Sequence, residues 1–208
     1  MNLVQPSAIL ESITPDSLRH IERCGRTAYK SEDKITDVSA PAFVKMIIKR
    51  GHESVLEHAS ATIRFICDRG VSHELVRHRL CAFTQESTRY CDYAGDVTII
   101  EPHNNHGVSL FVGQEDKRNI WITSIEESIR WYKLLRELGV SPQHARAVLP
   151  NCLKTEIVVT ANFREWRHIF GLRLSEAAHP AMRYVMSLAL KELVKEVPVV
   201  FDSYIEVI

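Results

Sequence analysis

A chain of 208 residues is long enough to bury one compact core. Its 45% hydrophobic and 25% charged residues exclude a disordered chain, and 26 basic against 26 acidic side chains leave no net charge, which speaks against a general nucleic-acid binder. No apolar run reaches membrane-spanning length, and the N-terminus lacks the basic-then-apolar layout of a signal peptide, so no membrane association and a cytoplasmic location are expected.

In chain order, Thr14-Pro15-Asp16 predicts a helix start with Thr14 as cap, the helix running through Leu18, Ile21 and Ala28. Ser39-Ala40-Pro41 opens a second helix, Ala42 to Arg50, stopped by Gly51. Residues 51–58 contain Ser54-x-x-Glu57, which reads equally as a capping box and as a helix N-terminus whose N–H groups can hold a phosphate. Residues 60–67 are β-branched and aromatic and predict a strand. A short helix is expected from Val71 to about Leu80, and a short strand over 97–100. Residues 104–114 have little periodicity and read as loop. Trp121, Ile125, Ile129, Tyr132, Leu135 and Leu138 recur at helical spacing, predicting a long helix from Ile120 to Leu138, ended by Gly139. A short helix opened by Pro142, a strand at 156–160, a helix over 163–170 capped by Gly171, and a last long helix from Pro180 to about Val197 complete the pattern. Long helices mixed with short, non-alternating strands indicate an α+β chain of one domain, 1–208.

Five scattered cysteines without a Cys-x-x-Cys pair exclude a disulfide framework or a zinc cluster, and the ten histidines form no metal motif, so no metal is expected. The densest chemistry lies in residues 77–90, where Arg77, His78, Arg79 and Arg89 are interleaved with Thr84, Gln85, Ser87 and Thr88. Arginine forks suit phosphate oxygens, and the amide and hydroxyl groups between them suit a base edge, so the run favours a nucleotide over a merely solvated surface paired with Glu74 and Glu86. On a helix, Arg164 and His168 share a face, with Glu165 available to neutralise its neighbours. Arg146 sits among apolar residues and calls for an anion or carboxylate. There is no Gly-x-Gly-x-x-Gly and no Walker loop, so a Rossmann dinucleotide site is unsupported.

Arg77-His78-Arg79, seven residues, Ser87, any residue, Arg89 is similar to the signature of flavin-dependent thymidylate synthases. The resemblance extends from about residue 14 to 200, through Gly51-His52-Glu53-Ser54, Glu57-His58, Ala145-Arg146, Asn162-x-Arg164 and Leu172-Arg173. It implies an antiparallel sheet with long helices and a homotetramer with shared sites. It also implies reductive methylation of dUMP, with FAD as cofactor and NADPH and methylenetetrahydrofolate as co-substrates. By the same resemblance Ser54, Glu57, Arg77, His78, Arg79, Gln85, Asn162, Arg164 and His168 contact the flavin. Glu74, Gln85, Glu86, Ser87, Thr88, Arg89, Arg146 and Arg173 contact the nucleotide, and Arg173 activates the uracil. Glu74 stands where members often have glutamine, Ala82 where serine is frequent, His168 where some members have asparagine, and Ala181 where an acidic residue is often found. Two other classes fit parts of the sequence: a histidine-type phosphatase, through Leu75-Val76-Arg77-His78, and a nucleotide- or RNA-binding module built on the arginine cluster.

Overall fold

The computed structural model describes residues 1–207. Two strands dominate the chain and both alternate strictly. In β3 (Ser60–Asp68) Ala61, Ile63, Phe65 and Cys67 are buried; in β6 (Lys154–Asn162) Thr155, Ile157, Val159 and Ala161 are. They pair antiparallel over their full length, Ser60 opposite Asn162 and Asp68 opposite Lys154. A period of two puts one face of each strand on the core and leaves the other polar and partly exposed. β2 (Ser7–Ile13) joins β3, and β4 (Ala82–Gln85) joins β6, both antiparallel, giving the order β2-β3-β6-β4.

Helices cover the inner face: α1 (Ser17–Thr27), α2 (Ser39–Lys49), α6 (Phe163–Arg173), α7 (Pro180–Glu196) and the short α8 (Pro198–Phe201). Trp166 and Phe170 of α6, Val185, Met186 and Leu190 of α7 and Phe65 of β3 share this main core. A smaller core, with Tyr93, Ile99, Ile129, Tyr132 and Leu153, lies beneath α4 (Glu115–Glu137) and the one-turn α5 (Pro142–Ala145). Two-residue strands β1 (Asn2–Leu3) and β5 (Thr98–Ile99) pair parallel beside it. Among the described residues no helix is long and apolar enough to cross a membrane.

The expected mixed α/β architecture holds, with local corrections. α1 starts at Ser17 after Asp16 in a left-handed conformation; Thr14 is not its cap, because its hydroxyl accepts from the Ser60 N–H across the sheet. α2 starts three residues earlier than expected, at Ser39, and Gly51 just beyond it takes φ +71°, a conformation a side chain would strain. The helix expected from 71 to 80 is α3 (Arg69–Leu75), capped by the Asp68 carboxylate; residues 76–81 form turns instead. No capping box forms: residues Glu53–His58 make a single tight helical stretch without a side-chain cap. Gly171 does not end α6, which continues to Arg173.

Candidate active site

β6 ends at Asn162, whose side-chain oxygen accepts from the Glu165 N–H and so starts α6 beside the chain of β3. This cap aims the C-terminal end of α6 at the segment between α3 and β4. There Arg173 Nε donates to His78 Nε2 (2.9 Å), Nη1 to the Glu74 carboxylate (2.9 Å), and Nη2 to the Glu74 carbonyl (3.1 Å). Two of the five guanidinium N–H groups are left free of these bonds. Glu74, which stands where members of the resembling family often have glutamine, therefore has an arginine partner.

Beneath this contact lies the carboxylate that the sequence offered only as a neutraliser of Arg164 and its neighbours. Glu165 is 7% exposed, and its oxygen lies 3.8 Å from His78 Nδ1. Burial raises its pKa. His78 is itself buried, and burial, together with the charges of Arg173 and His168, lowers its pKa from 6.5 to about 4. A neutral imidazole accepting at Nε2 carries its proton at Nδ1, toward Glu165. The unfolded chain takes up a proton near pH 6.5 and the folded chain only near 4, so stability from His78 is present above 6.5 and is lost as pH falls between these values. His78→Gln should flatten the stability profile in that window, read by urea unfolding at stepped pH; an unchanged slope would mean that His78 is not held neutral.

His78, Glu165 and His168 bring one donor atom each within 4.8 Å of one another, a grouping that no local spacing of the sequence encodes. The Arg173 guanidinium on the same imidazole opposes a second cation there.

The residues expected at the nucleotide form a second group along β4 and the turn after it. Arg146 Nη1 donates to the buried Thr88 hydroxyl (2.9 Å), which ties the apolar 145–149 turn to the signature segment. Ser87 Oγ accepts from the Arg89 N–H, and Arg89 is exposed. The Gln85 amide is committed inward, donating to Ser72 and Thr155 hydroxyls (2.8 and 3.1 Å). Glu86 accepts from the Tyr93 hydroxyl (2.6 Å), from Lys154 (3.1 Å) and from the Glu156 N–H. These bonds anchor the turn that presents Ser87 and Arg89. Lys154, Glu156 and Tyr93 carried no signal in the sequence, since their partners are distant along the chain. Cys81, beside the signature, has its pKa raised to about 12 by burial, which leaves little thiolate to act as a nucleophile.

A third group surrounds residues 51–57. An open groove of about 660 Å³ is lined by Ser54, His52, Arg26, Lys34, Arg50 and Arg164, among others. Its size falls within the ordinary range of cofactor pockets. Glu57 pairs with Arg164, and Glu53 with Arg167 (3.1 Å), so the carboxylates here are neutralised while Lys34 and Arg50 make no ion pair among the described residues. Hydroxyl, imidazole and cationic donors of this kind suit a diphosphate. Arg77 and Arg79 are exposed on the turn after α3 and are not part of this groove's lining. The residues expected at the flavin thus fall into two groups rather than closing around one cavity of a single chain.

A family profile described as thymidylate synthase complementing protein matches residues 9–199. The chain is 39% identical to a flavin-dependent thymidylate synthase of Corynebacterium efficiens, over 88% of this chain and 78% of that protein. It is 35% identical to one of Pyrococcus furiosus, over 89% and 75%, and 34% identical to one of Geobacter sulfurreducens, over 90% and 82%. The fold is similar to the crystal structure of a UMP/dUMP methylase, PolB, from Streptomyces cacaoi bound with 5-Br dUMP. That match has a TM-score of 0.82, covers 98% of this chain and 96% of that one, and is 22% identical.

Proposed function

The chain belongs to the flavin-dependent thymidylate synthases, and on that premise we propose that it methylates dUMP to dTMP with methylenetetrahydrofolate as carbon donor, FAD as cofactor and NADPH as reductant. The observation that carries this reading is the convergence of Arg173 on His78 of the signature segment, 95 residues earlier in sequence, and on Glu74 of α3 just before it. Three bonds hold the guanidinium plane, and its two free N–H groups are available to the lone pairs of a uracil carbonyl oxygen. A fixed positive fork there withdraws charge toward the carbonyl side as C5 attacks carbon. Ser87, Arg89 and Arg146 are read as the phosphate clamp, with Thr88 holding Arg146 in place. Glu74 and His78 act through Arg173 as positioning residues.

Ser54, Arg164 and Asn162, with Arg77, Arg79 and His168 from the other group, are the residues that would hold FAD. When bound, FAD supplies the redox chemistry, and the protein's part is orientation and charge. The separation of the two groups favours sites completed between chains, in a homotetramer. A histidine-type phosphatase needs an accessible imidazole nucleophile, whereas His78 is buried and accepts from Arg173.

The test is product formation by the purified, FAD-reconstituted chain. Chromatography should find dTMP only when dUMP, methylenetetrahydrofolate and NADPH are all supplied, and sedimentation at assay concentration should find the active species oligomeric. A colourless chain that makes no dTMP but hydrolyses phosphomonoesters would overturn the reading.

A further inference from the structure

Between the 103–109 loop and α7 lies a cavity of about 120 Å³, outside every group described above. At roughly 30 Å³ per water it has room for about four waters, the space of one phosphate or carboxylate group rather than of a base. It is lined by Asn105, His106, Arg183, Tyr184, Ser187 and Lys191, with Leu174 as an apolar wall. No aspartate or glutamate lines it, and neither Arg183 nor Lys191 makes an ion pair among the described residues. Arg183, Ser187 and Lys191 follow one another at four-residue steps, so their side chains rise along one face of α7. Two cations brought to one confined place repel each other unless an anion stands between them.

The opposite wall is built and not merely draped. Asn104 Oδ1 accepts from the His106 and Val108 N–H groups (2.8 and 3.1 Å), and the Asn104 N–H donates to the Val108 carbonyl (2.9 Å). Gly107 takes φ +75°, and a Cβ there would meet the Tyr184 ring at 2.4 Å, so only glycine lets the loop close on the helix. His103 is buried with its ring centroid 5.1 Å from that of Tyr184. Asn105 and His106 are thereby held at the mouth.

We infer that this cavity is an oxyanion subsite for the anionic tail of a co-substrate. Leu174, its apolar wall, directly follows Arg173 and caps the C-terminal end of α6, so the cavity and the Arg173 guanidinium are built on the same helix end. Resting on the proposed function, two co-substrates carry such a group: the glutamyl carboxylates of the folate and the 2′-phosphate of NADPH. The nucleotide phosphate already has its own clamp.

The direct test is calorimetric titration of inorganic phosphate into the protein with dUMP saturating, which needs no turnover. Wild type should bind phosphate and Arg183→Gln/Lys191→Gln should lose it; the exposed Lys191→Gln alone should weaken it, and thermal unfolding checks that both variants are folded. Two kinetic arms then name the carrier. If it is the folate, the KM preference for polyglutamyl over monoglutamyl methylenetetrahydrofolate should fall by about tenfold in the double variant. If it is the reductant, the preference for NADPH over NADH should fall instead; in either case kcat is kept. Absent or unchanged phosphate binding overturns the subsite. Phosphate binding that is lost without movement of either KM ratio overturns its assignment to a co-substrate. A wild-type chain that makes no dTMP overturns the proposed function alone, since the titration still decides the subsite.

Discussion

Trp166→Ala should destabilise the protein by about 3–5 kcal/mol, a large share of the roughly 5–15 kcal/mol that holds a domain folded. The indole is fully buried, stacks on Phe170 at 5.8 Å between centroids, and leans on Phe65 of β3 at 6.4 Å. Its Nε1–H donates to the Ala61 carbonyl (3.0 Å), so the side chain pins α6 to the central strand by packing and by a hydrogen bond at once. Removing it opens a cavity that its aromatic neighbours on α6 and β3 cannot collapse into without moving the sheet. Urea unfolding should show a lower midpoint with an unchanged slope. Trp166→Phe keeps most of the volume and should lose only about 1–3 kcal/mol, the cost of the abandoned acceptor. A Trp166→Ala unfolding free energy within about 1 kcal/mol of wild type would show that α6 is held by something else. Because α6 also carries Arg164, His168 and Arg173, the fold and the candidate site depend on the same anchor.

Elements that the sequence states twice were legible. α4 and α7 repeat at helical spacing across several turns, so period and burial agree; β3 and β6 were expected as short and non-alternating, because Ile66 and Val158 are apolar on the outer face, yet each runs nine residues with burial that alternates throughout. β2 was missed because its register shifts between Leu10 and Ser12, which breaks the alternation, and because it lies at the sheet edge. β4 was missed because its four residues sit inside the polar run that was read for chemistry. Gly171 looked like a helix stop, but it sits in the helix with only the distant edge of the Tyr204 ring nearby, so nothing there requires a break.

The candidate site divides the same way. Residues 77–89 are contiguous, so their pattern could be recognised without knowing the fold. What could not be read was the spending of polar groups across distance: Gln85 on Ser72 and Thr155, Glu86 on Tyr93 and Lys154, Arg146 on Thr88. The burial of Glu165 under His78 depends on how α6 is rotated against the turn after α3, which no local spacing encodes.

Arg173→Ala should lower kcat on the order of a hundred- to a thousandfold, or about 3–4 kcal/mol, at saturating dUMP. Its guanidinium is anchored on one edge by His78 and on another by both the carboxylate and the carbonyl of Glu74. A group held this way cannot rotate to follow the ground state, so its free N–H groups do most where charge develops, and the loss falls on turnover as well as on binding. The phosphate clamp predicts the opposite split: Arg89→Ala should chiefly raise the KM for dUMP. Lysine at 173 should restore only part of the rate, because one ammonium cannot satisfy His78 and Glu74 together and still present a planar pair of donors. The Arg173→Ala protein should still bind FAD and still be reduced by NADPH, so that the defect is confined to the carbon-transfer chemistry. Removing the guanidinium also leaves the Glu74 carboxylate unpaired beside the nucleotide site, and Arg173→Ala/Glu74→Gln, which removes that charge, separates the two effects. Recovery of dUMP affinity without recovery of kcat is the expected result. Near-normal turnover of Arg173→Ala once dUMP is raised would reduce Arg173 to a binding residue and remove it from the chemical step.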